Sequence, residues 1–432
     1  MRLLLLTFLF FTNFCIAQDT TNQSKMKYYI EKVEKYLDRE KALSSFYSIS
    51  KEGIKMYASP KDKLNNKKEF LIRWNEIQIF NEFEFYECNR TRFDTYKLGV
   101  VSSGPGLCER YFKPKDTTKQ LSDYKIAIDA GHTAGDITMG EIEKKDVKFK
   151  RDTTNGLNDS ISFAEGMLTF ATAKLLKEKL EAEGAQVFMT RTFNGGTAFG
   201  VTFDDWLKTS YKNAVDSLFK IGEINADKKE WFLNNKCTKR DKFRLIFKDI
   251  ELQKRGEIIN NYYPDFTIII HYNVDETNTG WTKPSNKDFD MTFVGGAFMK
   301  NDLSTIDKRF EFLRLLISDD LEKSITLSSA VVTSFEKTLL IKTATINDAK
   351  YLRQSCFATN EKGVYCRNLQ LTRFVHSALV YGETLYQDNI NECKLLNKET
   401  DKTKNERVQQ VAEAYYQGIL NYISISSKTK SK

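Results

Sequence analysis

The sequence predicts an α/β fold: a mostly parallel twisted sheet flanked by helices, preceded by a smaller α+β N-terminal domain. Three observations predict it. From Tyr124 onward, short apolar runs alternate with amphipathic ones, strand then helix. Two of the chain's 3 histidines close strand-like runs, Ile126–His132 and Phe266–His271. Before Tyr124 that alternation is missing, and short aromatic runs interleave with charge. In an open α/β sheet, ligands gather outside the carboxyl ends of the strands. Both imidazoles therefore fall where a site is expected.

Composition sets the limits. The 432 residues are 41% hydrophobic and 29% charged, which excludes wholesale disorder and leaves length for two or so domains. Only 5 prolines and 21 glycines argue against long structureless linkers. The formal charge of +8 suits, without requiring, a polyanionic partner such as a cell-envelope polymer or nucleic acid. There is no long Lys/Arg block and no RNA-recognition, finger or helix-turn-helix signature, so no nucleic-acid partner is expected.

The first 17 residues read as an address. Arg2 is the positive n-region, Leu3–Phe11 is an apolar stretch too short to span a bilayer, and Cys15-Ile-Ala17 offers small residues for signal peptidase. Cleavage would leave Gln18 first, and an exported protein of the periplasm or outer envelope is expected. Anchoring through acylated Cys15 is the lesser expectation, because Asn13-Phe14 makes a poor lipobox. No other stretch reaches transmembrane length. Export makes the remaining cysteines candidates for disulfides. Cys356 and Cys366 flank a turn-like Thr359–Gly363, and Cys88 and Cys108 share one upstream segment, which leaves Cys237 for Cys393. Free buried thiols are the alternative.

The elements follow in order. A loose apolar stripe of Tyr28, Ile30, Val33 and Leu37 predicts a helical stretch within 27–57. Strands are expected at Glu69–Trp74, Ile77–Phe80 and Asn81–Tyr86. Ser102–Gly106 reads as a loop and Lys113–Ser122 as a boundary, so residues 18–120 form an N-terminal domain to which no chemistry attaches. The second domain, 121–426, opens with a strand at Lys125–Asp129. A helix over Ser162–Glu183 carries Leu168, Ala171, Leu175, Leu176 and Leu180 near one face and stops at Gly184. A strand at Ala185–Thr190, a helix at Leu252–Asn261, the strand closing at His271, a strand at Ser377–Tyr381 and a final helix at Arg407–Ile423 complete it.

In that second domain the residues resemble a known family, the zinc-dependent N-acetylmuramoyl-L-alanine amidases of the type 3 catalytic domain. The family's opening strand ends Asp-Pro-Gly-His, and Ile128-Asp-Ala-Gly-His132 stands in its place. Its helix-starting glutamate, a glycine, and a strand ending Thr-Arg are matched by Glu165, Gly184 and Thr190-Arg191. Leu252, Arg255 and Asn260 match Leu-x-x-Arg and the asparagine that follows it. Ile269-Ile-His271-Tyr-Asn273 matches Ser-Ile-His-x-Asn, and Tyr381-Gly-Glu383 through Asn389, with Glu392 beyond, looks like the closing Val-Glu-x-Gly-Phe-x-x-Asn element. Order, spacing and co-occurrence over 124–424 carry the resemblance.

The resemblance implies Zn2+ held by His132, Glu165 and His271, Glu383 as the catalytic acid/base, and Asn273 and Arg255 at the substrate. It implies peptidoglycan as substrate, cut between the N-acetylmuramic acid lactyl group and L-alanine. The chemistry is coherent. Two imidazoles and a carboxylate leave zinc an open position where a water's pKa falls toward about 7, and a neighbouring carboxylate carries the proton to the leaving nitrogen. Glu141 and Glu143 rival Glu165 as ligand, since helix N-termini attract glutamate through the macrodipole. His376 reads as a supporting residue rather than a third imidazole ligand. Other readings are a zinc peptidase acting on another envelope peptide, and a cell-wall-binding module without catalysis.

Two departures stand out. Thr133-Ala134 replaces the Gly-Gly that usually follows the first histidine, and insertions lie near 133–160 and 193–250. Insertions at strand ends grow over active sites, as lids or groove walls. In some relatives an inserted helix blocks the zinc until a protein partner removes it, so a regulatory partner acting on such a lid is part of what the resemblance implies.

Overall fold

The computed structural model describes residues 22–77, 119–278 and 283–430. The signal-like run 1–17 with Cys15, the strand expected at Asn81–Tyr86, the Ser102–Gly106 loop, and Cys88 and Cys108 lie outside the described residues.

The front segment opens with a helix that ends in a wide turn at Val33–Leu37. It is followed by a small antiparallel sheet of β1 (Tyr47–Ser50), β2 (Gly53–Met56) and β3 (Phe70–Arg73). Helix was expected within 27–57, and its second half is instead the β1–β2 hairpin. The hairpin depends on Gly53, at φ +143°, where a Cβ would stand 2.1 Å from the carbonyl oxygen of Ile72. Val33, Leu37, Ile54, Phe70 and Trp74 share a core with Val294, Phe298, Phe312 and Leu316. The front segment is thus packed on the back one, and Lys32 Nζ ties them by donating to the carbonyl of Ser318 at 2.7 Å.

The large sheet holds β4 (Lys125–Ala130), β7 (Gln186–Met189), β8 (Phe266–Asn273), β9 (Met291–Val294), β10 (Phe357–Ala358), β11 (Val364–Cys366) and β12 (Ala378–Tyr386). Their order is β10-β11-β9-β12-β8-β4-β7. The strands β7, β4, β8 and β12 are mutually parallel; β9 runs antiparallel to β12, with β11 parallel to β9 and β10 antiparallel to β11. The mostly parallel α/β sheet expected from the sequence is present, extended by a mixed edge. A separate hairpin pairs β5 (Asp146–Phe149) with β6 (Ile161–Ala164). Residues 162–164, expected to begin a helix, are therefore strand, with Phe163 opposite Val147 and the preceding Ile161 opposite Phe149.

Both faces of the sheet are covered. Ile128, Ile268, Ile270 and Val380 pack with Leu168, Leu176, Val331 and Val411, from the helices Glu165–Ala182, Asp320–Leu339 and Glu406–Lys430. Ala127, Ile269 and Leu379 face the other way, with Ile259 of the helix Lys248–Tyr262 and Val375. Every residue of β8 is buried, which is why its sequence shows no polar alternation.

The disulfide expectation is corrected for the described cysteines. Cys237, Cys356, Cys366 and Cys393 are free and buried. Phe357, not Cys356, pairs with Cys366, so the two thiols point to opposite faces of the strand pair. Accordingly Cys366 packs with Val294 and Phe298, whereas Cys356 packs with Leu352 and Tyr365. Cys237 and Cys393 sit in two further, separate cores.

Asp290 is fully buried ahead of β9, and burial pushes its carboxyl up to about 8. A raised carboxyl pKa gives stability that is complete below the ordinary value of 3.8 and is lost as pH rises toward about 8. Asp290→Asn, which keeps the shape without the charge, is expected to raise Tm at pH 8 and to approach wild type at pH 4. Thermal melts across that range check it.

Candidate metal centre

The site begins where β4 ends. Gly131 donates its N–H to Ile270 at 3.0 Å, and a Cβ there would lie 2.3 Å from His271 Cε1. Only glycine lets the two strand ends approach this closely. His132 follows in the left-handed region at φ +62°, a costly conformation for a non-glycine residue. Two buried arginines hold it there. Arg255 donates to the carbonyls of Ala130 at 2.7 Å and His132 at 2.8 Å, and Arg191 to those of Ala130 at 3.0 Å and Gly131 at 3.3 Å. Arg255 is itself paired with Glu251 at 2.8 Å and Asp129 at 3.2 Å, and Asp129 also accepts from the Thr190 hydroxyl. Arg255, expected at the substrate, is 1% exposed and hydrogen-bonds the backbone of the His132 loop.

Glu165 is the first residue of the helix Glu165–Ala182 and is fully buried. Its Oε1 accepts from the Tyr272 N–H at 3.1 Å and its Oε2 from Gln387 Nε2 at 3.1 Å. Three potential ligand atoms converge. Glu165 Oε1 is 3.1 Å from His132 Nε2 and 3.1 Å from His271 Nδ1, and the two imidazole nitrogens are 3.2 Å apart. Ligands at about 2.0–2.1 Å around a tetrahedral zinc stand roughly 3.3 Å from one another. The donor set and its spacing fit that ion. The described residues contain one such group of His, Cys, Asp or Glu side chains.

Electrostatics prepares each ligand. Burial pushes His271 down to about 4, so its imidazole is neutral and its lone pair is available. At His132 burial also favours the neutral form, but the charges of Glu165 and Glu143 outweigh it and raise the pKa. Burial opposes ionisation of Glu165, yet His132 and Lys145 hold its carboxyl well below the usual range. Lys145 Nζ lies 3.4 Å from Glu165 Oε2.

Glu143 is not a fourth ligand. Its Oε1 lies 3.0 Å from His132 Nδ1, while its Oε2 accepts the backbone N–H groups of Thr133 at 3.2 Å and Ala134 at 3.1 Å. A proton on Nδ1 donated to Glu143 leaves Nε2 free for a metal. Glu141, the other rival, pairs with Lys148 at the surface. His376 lies elsewhere, 2.8 Å from Glu311.

Glu383 is the cross-strand partner of His271, so both side chains stand on one face of the sheet. Tyr381, two residues earlier on that face, stacks on the His271 ring at 4.5 Å and 3°. Among the described residues no hydrogen bond ties down the Glu383 carboxylate. Burial first, and then the charge of Glu165, push it up to about 7. Asn273 closes β8 and donates to the Tyr351 hydroxyl at 2.9 Å.

The two insertions form one wall. The first supplies the helix Ile137–Glu143 and the β5–β6 hairpin, whose pairing of Asp146 with Ala164 sets Lys145 beside Glu165. The second folds into helices Phe203–Thr209, Tyr211–Lys220 and Ala226–Leu233 around Phe203, Trp206, Tyr211 and Phe247. Met139 and Ile142 pack into that core, and Arg240 donates to the carbonyl of Glu141 at 2.9 Å. The second insertion thus braces the helix that carries Glu143. Sequence reading missed the supporting roles of Glu143, Lys145 and Gln387; only the hairpin register of the first insertion exposes the placement of Lys145.

Fold and site together define a mostly parallel α/β protein with a His–Glu–His cluster at its strand ends that could hold a metal ion. Among solved structures, the chain is similar to the CwlD amidase from Clostridioides difficile in complex with the GerS lipoprotein, at 17% identity and a TM-score of 0.37, covering 70% of this chain and 99% of that one. It is similar to an N-acetylmuramyl-L-alanine amidase from Mycobacterium smegmatis at 12% identity and a TM-score of 0.38, covering 70% of this chain and 98% of that one. An N-acetylmuramoyl-L-alanine amidase of Nostoc punctiforme is similar at 14% identity and a TM-score of 0.36, covering 70% of this chain and 97% of that one. No family profile and no curated protein matches the chain.

Glu143→Ala is expected to weaken zinc binding by about 10–100-fold, because the carboxylate fixes the His132 tautomer. Glu143→Gln, which retains an acceptor oxygen, is expected to lose less. Competition against a chromogenic chelator measures both.

Proposed function

We propose that the chain is an exported zinc hydrolase of peptidoglycan, cleaving the amide between the N-acetylmuramic acid lactyl group and L-alanine. The observation that supports this reading most directly is the untethered Glu383 carboxylate on the same sheet face as the converged His132, Glu165 and His271. The likeness of the quoted motifs to the type 3 amidases supplies the substrate. A zinc ion held by the three ligands would acidify a water molecule and polarise the scissile carbonyl.

Glu383 carries the proton traffic. As a carboxylate it accepts the proton of the attacking water, and as an acid it returns that proton to nitrogen as the C–N bond breaks. The products are the lactyl carboxylate and a free alanine amine. A pKa near 7 lets one group do both tasks at neutral pH. The stacked ring of Tyr381 excludes water from one side of His271. A module that only bound cell wall would have no use for a half-buried carboxylate to which no described residue donates a hydrogen bond, which is costly to retain.

The 193–250 insertion is the place for a protein partner in this reading. Phe219, Ile221, Trp231, Leu233 and Leu245 are exposed on it, in contrast to its buried aromatic core. Through Met139 and Ile142 a partner there would act on the helix that ends at Glu143.

Digestion of purified sacculi is expected to release intact stem peptides from glycan strands by mass spectrometry. Release of D-alanine or internal peptide fragments would overturn the amidase reading in favour of a peptidase. Glu383→Gln is expected to keep zinc and lose turnover by about 10²–10⁴-fold, whereas His132→Ala loses both. Because Glu383 must be ionised to take the water proton, kcat/KM is expected to rise with pH through its pKa, about 7 without the metal and drawn lower by the zinc charge. A profile flat from pH 5 to 8 would remove Glu383 from that role.

A further inference from the structure

The mixed edge of the sheet carries a cation that the metal site does not use. Arg367 directly follows β11, and its N–H donates to the carbonyl of Val294 at 2.9 Å. The register Tyr365–Phe293–Tyr381, with Met291 opposite Glu383, puts these side chains on the face that bears His271. Arg367, two residues beyond Tyr365, belongs to the same face. Its guanidinium lies over two rings, 4.8 Å from the centre of Phe293 and 4.7 Å from that of Tyr351. Tyr351 is in turn held by Asn273 at the end of β8.

This guanidinium is oriented by its two rings. Among the described residues no carboxylate lies within ion-pair distance of it and no acceptor takes its hydrogen bonds. Its charge nevertheless reaches Glu383, Tyr381 and Tyr351, which places it at the margin of the reaction centre. A flat cation stacked on aromatic rings presents its N–H edge in a fixed direction, the arrangement that receives a carboxylate through two parallel hydrogen bonds. Half-burial against Phe293 and Tyr351 removes competing water and strengthens such a pair.

We propose that Arg367, positioned by Phe293 and by the Asn273–Tyr351 pair, is a carboxylate-binding subsite that receives an acidic group on the leaving-peptide side of the substrate. This deepens the amidase reading and rests on it for the identity of the peptide. Glu383 marks the departing nitrogen, so the peptide that follows it meets the β9–β11 edge. A carboxylate about one residue past the scissile amide would lie within reach of the guanidinium. The leaving fragment is then selected for negative charge, independently of the metal ligands.

The test uses two matched muramoyl tripeptides, differing in whether the second residue carries a free α-carboxylate or the corresponding primary amide. Calorimetric binding to the full chain bearing Glu383→Gln is measured first. The acid is expected to bind about tenfold or more tightly than the amide, a preference that weakens with added salt. Arg367→Met is expected to abolish the preference by weakening the acid alone, and Arg367→Lys to keep part of it. Should Arg367→Met fail to fold, the acid–amide difference in the Glu383→Gln protein and its salt dependence decide the matter. Equal binding of the two tripeptides, or an equal loss of both in Arg367→Met, overturns the subsite. Turnover of the acid by the wild-type chain is followed separately. If binding prefers the acid but no amide is cleaved, the amidase reading falls and the subsite stands.

Discussion

The site depends on a strained turn, and the strain is held by two buried guanidinium groups. Arg191 and Arg255 converge on three successive carbonyls, those of Ala130, Gly131 and His132, at the carboxyl end of β4. Without them a histidine at φ +62° would relax toward ordinary backbone and swing its ring away from Glu165. Burying two such cations is costly unless each is compensated. Asp129 and Glu251 supply the opposite charges, and Arg255 bridges both. Burial and the neighbouring Arg255 charge push Arg191 down to about 10, still far above neutrality, so the clamp stays charged under physiological conditions.

Seen from that clamp, several sequence signals acquire a physical reason. Asp129, Thr190, Arg191 and Arg255 belong to the pattern that resembles the amidases, and none of them reaches the cluster of ligand atoms. They are the frame that sets the ligands. Asp129, Thr190 and Arg191 were legible because each sits at a strand end, where apolar periodicity breaks, whereas Arg255 lies mid-helix. The function of Arg255 was not legible, because a lone arginine on an amphipathic helix looks the same whether it faces substrate or a buried carboxylate. Gly131 was visible as a residue, but the reason for it, the approach of His271 Cε1, belongs to a strand distant in sequence.

The parts that resisted sequence reading are those governed by pairing rather than by periodicity. Residues 162–164 look helical because they precede a helix with no breaker between them, yet the cross-strand pairing of Phe163 with Val147 claims them for the β5–β6 hairpin. The cysteines fail for a similar reason. Close spacing of Cys356 and Cys366 suggested a bridge, whereas a shift of one residue in register places their thiols on opposite faces. Likewise, only the register of the β5–β6 hairpin, with Asp146 across from Ala164, brings Lys145 to Glu165.

The two carboxylates of the site show how one sheet face provides opposite proton affinities. Glu165 and Glu383 are both drawn out of water, which alone would raise both. Glu165 is compensated: a backbone N–H, the Gln387 amide, His132 and Lys145 all favour its charged form. Glu383 has no hydrogen bond among the described residues, and the fixed charge of Glu165 adds to its burial. The first is therefore suited to hold a cation permanently and the second to exchange a proton. That separation follows from position. Glu165 heads a helix and meets the β8 backbone, while Glu383 projects from β12 on the sheet face that bears His271 and Tyr381. Exchanging their roles would require rebuilding the Lys145 turn and the Gln387 contact, so the division of labour is a property of the scaffold as much as of the two side chains.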